Sequence, residues 1–122
     1  MSEQQKNLAS ALQTLIGKPL TSAEFVHDYF QLRFPDEYLL AYNHAVLKHA
    51  NHKTSLTDPT TFFQELSTCV GRLVVQTQAL EGEHVTIAFD NSSSLQISLR
   101  DEDYRSPEAI QFRDASGLLW VA

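Results

Sequence analysis

Four residues near the start of the chain, Leu12, Ile16, Gly17 and Lys18, recur 54 positions later as Leu66, Val70, Gly71 and Arg72. An echo of this kind confines the chain to folds whose elements can be laid down twice in the same order. In both places an apolar stripe at helical spacing runs into a glycine followed by a base. Leu8, Leu12, Leu15 and Ile16 predict an amphipathic helix over 2–16. Gly17 supplies its C′ residue, and Pro19 prevents continuation. The second helix has Asp58 as N-cap and Pro59 in its first turn, with Phe62, Phe63, Leu66, Cys69 and Val70 forming a stripe that ends at Gly71. With one extra residue admitted, Gln31-Leu-Arg-Phe34 falls on Thr86-Ile-Ala-Phe89. The expectation is a pair of pseudo-repeats, 8–42 and 62–99, each a helix followed by strands.

In the second copy, strands are expected over 73–80, over 84–89 with Val85, Ile87 and Phe89 on one face, and through Leu95, Ile97 and Leu99. Glu81, Gly82 and Glu83 make one turn, and the loop 90–94, rich in Asn, Asp and Ser, makes the next. The first copy should supply strands 20–26, 29–34 and 38–42, with turns at His27-Asp28 and Pro35-Asp36-Glu37. Periodicity leaves 43–55 open between a strand and a short helix. A last strand is expected over 118–121, after the turn at Ser116-Gly117. The sum is an α+β domain: two helix-plus-antiparallel-meander repeats forming one sheet of six to seven strands, with two main helices.

A chain of 122 residues, 43% hydrophobic and 20% charged, has room for one domain, 1–122, and not for two full cores. The N-terminal MSEQQKNLAS lacks a basic flank leading into an apolar core, and no stretch reaches the ~18 apolar residues of a membrane span. The expected location is therefore the cytoplasm, away from membranes. The single Cys69 agrees with a reducing compartment. Fifteen acids against nine bases give a formal charge of -6, which repels a phosphate backbone and argues against nucleic acid as partner.

Residues able to carry chemistry are few. His44, His49 and His52 are metal-ligand types, but spacings of five and three do not share one helical face and no nearby acid or thiol completes a tetrahedron, so no metal is expected. Cys69 could pair with His84 or His27 as a nucleophile. Its place on the apolar stripe beside Phe62 and Leu66 favours core packing instead. Asp28, Asp36, Glu37, Glu81 and Glu83 sit in turns, where water keeps carboxylates from the desolvation that acid-base catalysis requires. No phosphate loop, nucleophile elbow or zinc-ribbon cysteine pair occurs, and no cofactor is expected.

One segment stands apart, LRDEDYRSPEAIQF. Its second half reads as a helix start, with Ser106 as N-cap, Pro107 at the first position and Glu108 at the positive end of the dipole. Its first half, Asp101, Glu102, Asp103, Tyr104 and Arg105, has no structural job assigned by pattern. Acids next to an aromatic and an arginine suit a surface that receives a basic protein.

Gly71-Arg72 followed by GEHVTIAFD, then SLQISLRDEDYRSPEAIQF, resembles small uncharacterised bacterial proteins, some of them similar to immunity proteins encoded beside toxins of contact-dependent or polymorphic systems. The resemblance is confined to the C-terminal half. It implies a stoichiometric binder that occludes a toxin's active site, with basic nuclease toxins met by acidic partners. No binding residue is carried over from it; Asp101, Glu102, Asp103, Tyr104, Arg105 and Glu108 are chosen from local chemistry alone.

The resulting expectation is a non-enzymatic cytoplasmic binding protein, an immunity-like inhibitor that meets a basic toxin domain through an acidic surface and an exposed sheet edge. The alternative is a self-associating scaffold, with a homodimer formed through that edge or through the tail around Trp120.

Overall fold

A computed structural model describes residues 3–122. Ser2, the expected helix start, lies outside them. Helix α1 covers Glu3–Gln13. It ends earlier than the stripe suggests because Thr14, Leu15 and Ile16 bond back to Ala11, Leu12 and Gln13 in tighter i→i−3 turns, ahead of Gly17 at φ +89°. Five strands follow: β1 Ser22–Val26, β2 Tyr29–Arg33, β3 Tyr38–Ala41, β4 Ala45–His49 and β5 His52–Ser55. Helix α2, Pro59–Ser67, starts as its sequence predicts, with the Asp58 carboxylate accepting from Thr61 N at 3.4 Å and Pro59 inside the first turn. Five more strands complete the chain: β6 Val74–Leu80, β7 His84–Phe89, β8 Ser93–Ser98, β9 Ile110–Arg113 and β10 Leu119–Val121.

The strands form two antiparallel sheets of five, not one sheet of six or seven. The first runs β1-β2-β3-β9-β10 and the second β5-β4-β8-β7-β6. Each meander therefore stays together, but the hairpin that follows it crosses over and extends the other meander. Strand alternation specifies which side chains face inward and says nothing of which sheet a strand joins, so the one-sheet expectation fails on a non-local choice.

The segment 43–55, undecided by periodicity, is the hairpin β4-β5. Ala45 and Leu47 point into the core, and Ala50 takes a positive φ of 52° at the turn. The helix expected from SPEAIQF is absent. Ile110 and Phe112 belong to β9, paired with Ala41 and Leu39 of β3, and the Ser106 hydroxyl donates to the Glu108 carbonyl rather than capping a helix. Two fully buried residues at a spacing of two give strand geometry more burial than the local capping signals can offset.

The offset seen in the sequence reappears in the backbone hydrogen bonds. Gly17 N donates to Val74 O at 2.8 Å, and Gly71 N to Leu20 O at 2.7 Å; Leu20 N donates to Arg72 O, and Val74 N to Lys18 O. Each of these bonds becomes its mate when one end is moved forward and the other back by 54 residues. The bases after the two glycines are used alike, Lys18 meeting the buried Glu37 and Arg72 meeting Asp90 at 2.8 Å.

Each helix packs against edge strands of both sheets, α1 on β6 and β10, α2 on β1 and β5. One contiguous core results, with Leu8 and Leu12 from α1, Leu15 from the turn after it, Phe62 and Leu66 from α2, and Phe30, Leu32, Ile87 and Phe112 from the sheets all fully buried. The β9-β10 turn is held by Asp114. Its carboxylate accepts from Ser116 Oγ at 2.6 Å, from the backbone of Ser116 and Leu118, and from Trp120 Nε1 at 3.0 Å.

Candidate functional site

The two halves differ most where the chain passes from one sheet to the other. Between β3 and β4 the crossing takes three residues, 42–44; between β8 and β9 it takes eleven, 99–109. The paired registers give the size of the difference. Ala41 and its counterpart Ile97 are 56 positions apart, whereas Ala45 and Ile110 are 65 apart, so the second half carries nine added residues. The added stretch contains RDEDYRSPE.

Its first part is a built turn. Asp101–Asp103 forms a single 3-10 turn, closed by Asp103 N to Arg100 O at 3.0 Å and Tyr104 N to Asp101 O at 3.3 Å. The Ser98 hydroxyl donates to Asp103 Oδ2 at 2.6 Å and accepts from Arg100 N, while the Arg100 guanidinium pairs with Glu102 at 2.6 Å. The turn is thus fixed to the end of β8.

The six residues expected as one patch are divided by this arrangement. Asp101 and Glu102 are exposed, and Asp103 faces a cleft. Tyr104 turns against the core, and burial, followed by the Asp101 charge, pushes its hydroxyl above the ordinary tyrosine value. Arg105 faces a separate cavity. Glu108 accepts from Gln111 Nε2 at 2.8 Å.

A residue absent from the expected patch joins it. Leu99 N donates to Glu83 O at 2.9 Å, which lays the β6-β7 turn beside the 3-10 turn. Between them lies a cleft of about 210 Å³, with Glu83, Asp103 and Arg100 among its lining residues and His44 and His84 on its sheet face. Ser98 of β8 is paired with His84 of β7 on one side, and its backbone N–H donates to the carbonyl of His44, just before β4, on the other, so the three residues form a row. The available signal for His84 was parity: with Val85, Ile87 and Phe89 inward, His84 and Thr86 face outward. The approach of Glu83 had no such signal, being set by tertiary contact.

The other candidates are dispersed. His44 borders the cleft, His49 Nδ1 lies 2.8 Å from Ser93 Oγ, and His52 meets Glu65 at 3.4 Å. Among the described residues no group of three or more His, Cys, Asp or Glu is placed to hold a metal ion. Cys69 is fully buried, with Asn91 Nδ2 at 3.8 Å from its sulfur; His84 Nδ1 bonds Thr86, and His27 lines the other cavity. The nucleophilic pair is not assembled. Of the turn acids, Glu37 is buried against Lys18. No helix among the described residues is long and apolar enough to cross a membrane.

Glu83 and Asp103 line the cleft beside Arg100, and Asp101 and Glu102 are exposed on the adjoining turn, so carboxylates outnumber bases on this face and favour cationic groups at long range. No protein-family model, curated protein or solved structure matches the chain.

Proposed function

We propose that this chain is a non-enzymatic cytoplasmic binding protein of the immunity type, which blocks a basic toxin domain with the acidic face around the 3-10 turn. The observation that carries this reading is the nine-residue addition to the second half. The first half makes the same sheet-to-sheet crossing in three residues, so the fold does not require the added length, and the added length is where the acids are. Glu83, Asp101, Glu102 and Asp103 steer a cationic surface inward, and the fixed turn supplies a rigid contact that loses little entropy on docking. Inhibition is steric and electrostatic, with no cofactor and no nucleic-acid contact.

The test is calorimetric and kinetic titration against the C-terminal domain of a toxin encoded beside this gene. A one-to-one complex is expected, with an association rate that falls as salt rises, by about tenfold between low and physiological ionic strength. Absence of any adjacent toxin gene, or a complex whose rate ignores salt and the double variant Asp101→Lys with Asp103→Lys, overturns the reading.

Self-association is the second reading, favoured by the exposure of Leu118 and Leu119 at β10, the outermost strand of the first sheet. Sedimentation velocity separates the two: a scaffold dimerises with concentration and is broken by Leu119→Glu, whereas an inhibitor of the proposed kind stays monomeric in both forms.

A further inference from the structure

A second cavity lies away from the acidic cleft, between the β1-β2 turn, the end of β3 and the start of α2, and its volume is about 130 Å³. That is close to the engineered apolar cavity of about 150 Å³ in another protein that takes up benzene, so one ring or branched aliphatic group fits. Phe30 and Ala41 supply a buried apolar part of the lining, with Leu56 partly exposed beside them. The rings of Tyr29 and Tyr42, 5.2 Å apart, form a wall.

Two opposite charges line this cavity. Lys18, Arg33, Arg72 and Arg100 each meet an acid, whereas Lys48, Lys53 and Arg113 meet none among the described residues. Asp28 and Arg105 both line the cavity and both are exposed, yet they form no ion pair with one another, and neither side chain has a hydrogen-bond or ion-pair partner among the described residues. Asn43, fully buried, lines the cavity as well; its Nδ2 donates to Ser98 O, and its Oδ1 has no partner. A buried carbonyl oxygen without a donor is costly, and a donor delivered by an occupant would satisfy it.

We propose that this cavity binds a free α-amino acid with an apolar side chain of ring or branched-aliphatic size. The side chain packs on Phe30, Ala41 and Leu56. The carboxylate pairs with the Arg105 guanidinium, whose fork donates to both oxygens. The ammonium faces Asp28, with the Tyr29 and Tyr42 rings and Asn43 Oδ1 as further electron-rich neighbours. A zwitterion is the ligand class that uses both unpaired charges at once: an organic acid alone leaves Asp28 unused, and an amine alone is repelled by Arg105. Burial, ahead of the nearby Tyr29, Glu108 and Asp28, raises the Tyr42 pKa, so its hydroxyl remains a neutral donor at physiological pH. The proposal stands independently of the acidic-face reading, since the two sites share no lining residue.

The experiment is isothermal titration of the full chain with L-phenylalanine, L-leucine, 3-phenylpropionate and phenethylamine. One-site binding of at least one amino acid is expected, with 3-phenylpropionate and phenethylamine each at least tenfold weaker than L-phenylalanine where that is the ligand. Arg105→Gln and Asp28→Asn should each weaken the amino acid at least tenfold, the scale of one lost charge-assisted hydrogen bond. Both side chains are exposed, and an unchanged thermal midpoint verifies that the variants fold. Silence from both amino acids, equal binding of L-phenylalanine and 3-phenylpropionate, or affinities untouched by the two substitutions overturns the proposal.

Discussion

Gly17 and Gly71 hold the same backbone conformation, φ +89°, at corresponding positions of a four-bond ladder between the two halves. A Cβ added at either would meet nothing within 4 Å, so the cost of a side chain there is conformational rather than steric crowding. Gly17→Ala and Gly71→Ala should each lower stability by about 1 to 2 kcal/mol, the penalty of a left-handed conformation for an L-residue. Because both glycines serve one ladder, the double variant should depart from the sum of the singles, which urea unfolding of all four forms would reveal.

The core should respond more strongly. Phe34 and Phe89, equivalent in the sequence alignment of the halves, are both nearly inaccessible, and truncation of either to Ala should cost about 3 to 5 kcal/mol. Chemical denaturation gives the value directly; an unchanged midpoint in Phe89→Ala would contradict the inward face assigned to β7.

Acid should act through Asp114. The hydroxyl of Ser116 and the indole of Trp120, with two backbone amides, hold its carboxyl down from 3.8 to about 2. A group depressed in the folded state contributes stability above its unfolded pKa and loses it as pH falls through the folded one. The contribution is therefore full above pH 3.8 and disappears toward pH 2. Trp120 is the sole tryptophan, so its fluorescence reports the turn directly. In Asp114→Asn the pH dependence of unfolding across that interval should flatten relative to the parent.

The 3-10 turn offers a separation of stability from binding. Asp101→Lys, at an exposed position, should shift the unfolding free energy by less than about 0.5 kcal/mol while slowing association with a basic partner. Ser98→Ala removes the 2.6 Å bond to Asp103 and should cost about 1 kcal/mol. Hydrogen exchange should then accelerate at the Asp103 and Tyr104 amides, the two that close the turn.

Much of the fold was legible in the sequence because it is local. Asp58 and Pro59 mark the start of α2, and the alternation of Val85, Ile87 and Phe89 marks β7, while Gly17 and Gly71 each lie four residues beyond the last residue of their helix. Sheet membership was not legible, since nothing in Ala45 or Ile110 states that its strand will pair with the other half's meander. SPEAIQF misled for the opposite reason: its capping residues are sound local signals, overruled by the burial of Ile110 and Phe112 against β3. At the candidate site, the acids of the added stretch were visible as a composition anomaly. That Asp103 faces the cleft, Tyr104 the core and Arg105 the second cavity was not, and neither was Glu83, which arrives through one backbone hydrogen bond to Leu99.

The crossed hairpins bear on how the chain could be divided. A cut in the link 56–58 would leave one fragment with β4-β5 and no β6-β8 to receive it, and another with β9-β10 and no β1-β3. Each fragment would carry a covering intended for its counterpart and lack one for itself. The two pieces, mixed, should form an obligate complementation pair, in which order in either is conditional on the presence of the other.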